Sequence, residues 1–231
     1  MSQDPYQVVR DFEVALCEYT GAPFAVTTTS CTMALLLAVA WHFNKWWSRC
    51  VEQDRIDAAE NRDPPWRELL TIEIPKRTYM SVPMSVIHAG CKVKFREENW
   101  RGAYQLKPLP VWDCARMFTG EMYHNSGHFY GSIPGAMLCV SFHTSKILGD
   151  TQGGAILHGD PEADAWLRRA RFDGRTEGID PKDDTPILGW HAYMSVDVAA
   201  RLLLRLRWLP RDNPDLPNDD YPDLSLLPIF Q

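Results

Sequence analysis

Three short segments of this chain could do chemistry. The run Thr27-Thr28-Thr29-Ser30-Cys31-Thr32 follows the strand-like Phe24-Ala25-Val26 and precedes a long apolar stretch. Strand, hydroxyl-rich turn and helix in that order expose free N–H groups at a helix N-terminus. The turn therefore reads as a phosphate cradle or as a plain N-cap. Val111-Trp112-Asp113 places an acid at the carboxyl end of a strand. Ligands of open α/β sheets bind there, although an aspartate at such a place also caps the next turn. Finally, Ser141-Phe142-His143-Thr144-Ser145-Lys146, with Gly153-Gly154 behind it, is a strand running into a polar turn that ends in a lysine. A neutral lysine beside a cation or in a dry pocket suits Schiff-base formation; a solvated one does nothing.

The elements that must position these groups follow from hydrophobic periodicity. Val9, Phe12, Leu16 and Tyr19 are at helical spacing, and Gly21 offers a stop. A second helix is expected over residues 33–47, short helices over 80–88 and 163–172, and another over 195–208. Strands are expected at 24–26, 70–74, 92–95, 109–112, 136–142 and 154–158. Residues 48–68, charged and containing Pro64-Pro65, read as a surface excursion with at most a helical turn. Strands alternating with helices argue for an α/β fold with a mainly parallel sheet. Residues 210–231 hold five Asp and five Pro, a composition that excludes a helix. Their apolar end (Leu224, Leu226, Leu227, Ile229, Phe230) is expected to pack on the body or on a neighbouring subunit, with disorder as the alternative.

Composition narrows the class. With 231 residues the chain is one large domain, or one with an appendage. Lys+Arg of 24 against Asp+Glu of 30 gives a charge of −6, which argues against a broad nucleic-acid or anionic-membrane surface. The longest apolar run, 33–41, is too short to span a bilayer. No signal-peptide pattern opens the sequence. The six cysteines are scattered with no C-x-x-C pair, so neither a zinc site nor a disulfide framework is expected, and a cytoplasmic location with reduced thiols is.

In order and content the segments resemble the DegT/DnrJ/StrS family of pyridoxal-phosphate (PLP) sugar aminotransferases, of fold type I. Phe12-Glu13 with Tyr19-Thr20-Gly21 is similar to that family's opening F-E…Y-x-G. Ser30-Cys31-Thr32-Met33-Ala34-Leu35 resembles its phosphate turn S-[GC]-T-x-A-L. Pro75-Lys76-Arg77-Thr78-Tyr79 is similar to P-x-x-T-[FYW], residues 89–95 to A-G-x-x-x-x-F, and Asp113-Cys114-Ala115-Arg116 to D-x-A-Q. Residues 141–146 match S-F-H-x-x-K, and Gly189-Trp190-His191-Ala192-Tyr193-Met194-Ser195 resembles G-Y-N-x-R-M-S. The similarity covers residues 12–209.

The resemblance implies roles. Lys146 would hold PLP as a Schiff base and move the proton, and Asp113 would pair with the pyridinium nitrogen. Tyr79 would stack on the ring, while the backbone at Cys31 and the hydroxyls of Thr32 and Ser141 would hold the phosphate. Arg116 stands where the family has Gln, beside the cofactor. His191, in the family's Asn position, would reach the site of the other subunit, so a homodimer with shared sites is implied. The expected activity is transfer of an amino group from glutamate or glutamine to a keto group of a nucleotide-linked sugar, with no metal. Two alternatives stand beside it: a non-catalytic binding protein on the PLP fold, and a PLP enzyme for a larger substrate. Residues 100–111 are shorter than in the family, so a helix-plus-strand unit is expected to be missing. The chain reads as a short form, residues 1–209 forming the PLP-binding large domain and 210–231 a tail in place of a small C-terminal domain.

Overall fold

A computed structural model describes residues 4–59, 70–125, 130–217 and 220–231. Helix α1 spans Gln7–Thr20 and buries Val9, Phe12, Leu16 and Tyr19, the four residues at helical spacing. It stops at Gly21, whose φ of 77° is left-handed and whose N–H bonds the Cys17 carbonyl at 2.9 Å. Strand β1 (Phe24–Thr28) leads into α2 (Cys31–Ala59). Ser30 caps α2, its Oγ accepting from the Met33 N–H at 3.2 Å.

Helix α2 corrects the expectation of a surface excursion beginning at residue 48. Residues 48–59 contain neither Pro nor Gly, so a helix already nucleated and packed through its first half continues through them. The rest of the expected excursion, with Pro64-Pro65, lies outside the described residues. The chain resumes with β2 (Thr71–Pro75), α3 (Ser81–His88), β3 (Lys92–Arg96), β4 (Tyr104–Gln105) and β5 (Val111–Asp113). A one-turn α4 (Met122–Asn125) precedes β6 (Met137–Ser141), β7 (Gly154–His158), α5 (Pro161–Ala170) and α6 (Val196–Leu206).

The sheet is mixed rather than mainly parallel. Its order is β1-β7-β6-β5-β4, and β2-β3 form a second ladder. Among the described strands, β5–β6 and β2–β3 pair parallel, and β1–β7, β6–β7 and β4–β5 are antiparallel. Chain length is the reason at β4–β5, where residues 106–110 are too few for a crossover and permit only a hairpin. This hairpin is what stands between Trp100 and Val111, where a helix-plus-strand unit was expected to be missing. The two ladders touch through Glu73 and Lys107, which exchange backbone hydrogen bonds of 2.7 and 3.1 Å.

Helices cover both faces, giving three layers, and the strand residues divide between two cores by alternation. Met137, Cys139 and Ile156 face α2 and α5, whereas Leu138, Val140, Ala155 and Leu157 face α1 and α6. Not every arginine near α5 is solvated: Arg171, just past its end, is wholly buried. Arg171 and Arg168 both pair with the buried Glu13, which also accepts from the N–H and Oγ1 of Thr27 at 2.9 and 2.8 Å.

The described part of the tail contains two 3₁₀ turns, Leu224–Leu226 and Pro228–Phe230, and no α-helix. It packs on the chain's own body: Leu224 is fully buried and the Phe230 ring meets Phe95 edge-on at 5.8 Å. Among the described residues no helix is long and apolar enough to cross a membrane, and no cluster of three or more His, Cys, Asp or Glu could hold a metal. All six cysteines are unpaired.

Candidate active site

The carboxyl ends of β2, β5 and β6 and the first turn of α2 converge on one cavity of about 360 Å³. That volume lies in the ordinary range of small-ligand sites. Lys146, Asp113, Tyr79, Cys31, Thr32, Ser141 and Arg116 all line it. His191 does not. It is 71% exposed, with Nδ1 at 3.1 Å from Asp173 Oδ2, and it lines a separate hollow of about 210 Å³. The two hollows share Gln152 and Gly153.

Asp113 ends β5 with its carboxylate buried. Oδ2 accepts from the Tyr104 hydroxyl at 2.7 Å and Oδ1 from the Ala115 N–H at 2.9 Å. Burial pushes its pKa up, although these bonds and the charges of Lys146 and Arg116 pull it down. A cation arriving next to Asp113 would complete its neutralisation.

Lys146 sits in the turn after β6, its N–H bonded to the His143 carbonyl at 2.8 Å. The amine is half-buried. Burial lowers its pKa, the Arg116 charge lowers it further, and Asp113 opposes both. These are the conditions under which a lysine becomes a nucleophile. Arg116 is itself buried and held by the tail. Its Nε and Nη2 donate to the Tyr221 hydroxyl at 3.3 and 3.2 Å, and Nη1 donates to the Pro217 carbonyl.

The first turn of α2 approaches the strand Gly154 begins. A Cβ on Gly154 would lie 2.4 Å from the Cys31 nitrogen, so no side chain fits there. Thr32 Oγ1 is 2.9 Å from Ser81 Oγ, which sets two hydroxyls side by side at the cavity wall. Tyr79, 58% exposed, lines the cavity. His143 also lines the cavity, its Nδ1 at 3.2 Å from Ser145 Oγ.

Sequence reasoning missed several groups. Trp100 and Tyr221 form an aromatic wall, rings near-parallel with centroids 6.3 Å apart. Tyr221 belongs to the Pro/Asp-rich tail, which has no local pattern pointing to a site. Tyr104, behind Asp113, lies on a two-residue strand too short for periodicity to reveal.

Comparisons with known proteins bear on the fold and the family. Residues 2–44 match the model of the DegT/DnrJ/EryC1/StrS aminotransferase family. Among curated protein sequences none matches. A DegT DnrJ EryC1 StrS aminotransferase from Brucella abortus superposes with a TM-score of 0.59 at 16% identity, covering 88% of this chain and 59% of that one. PseC of Helicobacter pylori, an aminotransferase involved in the biosynthesis of pseudoaminic acid, gives 0.60 at 15%, covering 87% and 57%. GDP-4-keto-6-deoxymannose-3-dehydratase, solved with a trapped PLP-glutamate geminal diamine, gives 0.61 at 15%, covering 88% and 61%. The chain thus spans about three fifths of the length of these structures. It has the α/β fold of PLP-dependent aminotransferases and, over its first 44 residues, the sequence pattern of the DegT/DnrJ/EryC1/StrS family.

Proposed function

We propose that this chain is a PLP-dependent aminotransferase that moves an amino group from glutamate or glutamine to a keto group of a nucleotide-linked sugar. The observation that carries the reading is one cavity bringing together a half-buried lysine, a buried aspartate and a helix N-terminus flanked by hydroxyls. The donor set fits PLP group by group: an amine for its aldehyde, a carboxylate for its ring nitrogen, and N–H and hydroxyl groups for its phosphate. Gly154, with no side chain, lets the first turn of α2 pack directly on the start of β7, which fixes the position of that helix N-terminus.

When bound, PLP supplies the electron sink that makes loss of an amino acid's Cα proton feasible. The chain's own residues do the rest. Asp113 holds the proton on the ring nitrogen. Lys146 Nζ, whose neutral form burial and Arg116 both favour, would be the covalent attachment point for PLP and the base for the Cα proton. Cys31, Thr32 and Ser141 anchor the phosphate, and Tyr79 shields the ring from water at the mouth. His191, exposed and outside the cavity, contributes to catalysis only from the neighbouring subunit, so the reading includes a homodimer with shared sites. Two structurally similar proteins support the sugar class, the aminotransferase involved in pseudoaminic acid biosynthesis and GDP-4-keto-6-deoxymannose-3-dehydratase.

The test is a two-stage spectral titration. Added PLP should give an absorbance band that L-glutamate converts to the pyridoxamine form, and a nucleotide-linked keto sugar should restore it. A protein that develops no PLP band, or whose band is unmoved by any amino acid, contradicts the proposal.

A further inference from the structure

We propose that Tyr104 is a positioning residue that holds Asp113 ionised and oriented toward the ring nitrogen, an inference that rests on the PLP reading. Strand pairing sets Tyr104 directly opposite Asp113 in the β4–β5 hairpin. The pairing exists because the connection is too short for anything but a hairpin, so the abbreviated segment itself delivers the hydroxyl. Tyr104 is buried, and its OH lies 2.7 Å from Asp113 Oδ2 and 2.5 Å from Thr78 Oγ1.

The polarity of this chain of bonds is forced. An ionised carboxylate only accepts, so Tyr104 donates to it; Tyr104 has one proton, so Thr78 donates to Tyr104. The relay runs from the loop carrying Tyr79 to the aspartate. The other groups facing Asp113 are Lys146, the Arg116 guanidinium, and the thiols of Cys31, Cys114 and Cys139, which burial keeps protonated. A charge-assisted donor on one oxygen, with the Ala115 N–H on the other, leaves the carboxylate a fixed plane. Losing that donor makes the carboxyl group more basic, so it competes with the ring for the proton.

The experiment loads wild type, Tyr104→Phe and Thr78→Val with PLP carrying ¹⁵N in the ring. The nitrogen chemical shift, the Kd for PLP and borohydride trapping at Lys146 are then read. Tyr104→Phe keeps the ring that fills the core. It should move the ¹⁵N signal toward the unprotonated value and weaken PLP binding about tenfold, with the Lys146 adduct still trapped. Thr78→Val should shift the signal the same way by less, and it carries the test if Tyr104→Phe does not fold. Adducts in all three proteins with unchanged ¹⁵N shifts and Kd overturn this proposal alone. No adduct in the wild type overturns the PLP reading and this proposal with it.

Discussion

At the scale of single residues, the account turns on charges taken out of water. Lys146 is poised by burial and by the Arg116 guanidinium, both of which favour its neutral form. The rate of covalent PLP incorporation should therefore rise with pH and level off below the ordinary lysine value of 10.5. Arg116→Gln should move that profile to higher pH, because a nearby positive charge is removed; stopped-flow absorbance between pH 6 and about 10 reads it. Asp113→Asn keeps the shape of the side chain but cannot hold a charge. The loss of transition-state stabilisation should reach about 3 kcal/mol, close to a 10²-fold fall in kcat, measured in the glutamate half-reaction. Lys146 and Asp113 were legible in sequence because each ends a strand-and-turn motif whose chemistry is local. Tyr104 and Tyr221 were not, because their partners lie across a strand pair and at the far end of the chain.

At the scale of elements, a buried network ties α1 to β1 and to the end of α5. Glu13 accepts from Arg171, Arg168 and Thr27, and Arg171 Nη1 also donates to the Thr27 carbonyl at 2.7 Å. Burial raises the Glu13 pKa, but the two arginine charges and the hydrogen bonds from Thr27 and Arg168 together outweigh it and hold the group at about 2. A carboxylate depressed from 4.5 to about 2 stabilises the fold above pH 4.5, and that stability is lost as pH falls through 2. His158 acts at milder acidity. It is buried with both ring nitrogens lacking hydrogen bonds, and burial lowers its pKa from 6.5 to about 4. The unfolded chain binds that proton first, so stability should fall between pH 6.5 and 4. Urea midpoints across this range should fall in the wild type and fall less steeply in His158→Phe, because His42, also buried and lowered from 6.5 to about 4, keeps its own share. Glu13→Ala leaves two arginines without their counter-charge and should cost about 3–5 kcal/mol in urea unfolding. The helical spacing of α1 and the apolar run of α2 were plain in the sequence. The mixed sheet was not, since strand direction depends on connection lengths rather than on the strands' own composition.

At the scale of the molecule, the described residues of the tail, 210–217 and 220–231, form a strap along one side of the cavity. Leu216 N–H bonds the Arg116 carbonyl at 2.9 Å, Leu224 N–H bonds that of Lys76 at 2.9 Å, and Asp223 pairs with Lys76 at 2.9 Å. Between these anchors Tyr221 faces the cavity and fixes Arg116. A tail read as an appendage is thus part of the site's wall, which a Pro/Asp-rich composition could not disclose. Removing residues 210–231 should speed PLP release severalfold while leaving α/β content unchanged by circular dichroism; equal release rates would count against the strap. His191 belongs to the same scale. If sites are shared, mixing Lys146→Ala with His191→Ala subunits should recover activity that neither homodimer has. The central claim is that Lys146 is the attachment point for PLP in this cavity, and trapping it chemically tests that most directly. After incubation with PLP, borohydride reduction and peptide mass spectrometry, the wild type should carry one reduced adduct on Lys146 and Lys146→Ala none. An unlabelled wild type, or equal labelling of both proteins at other lysines, would contradict the account.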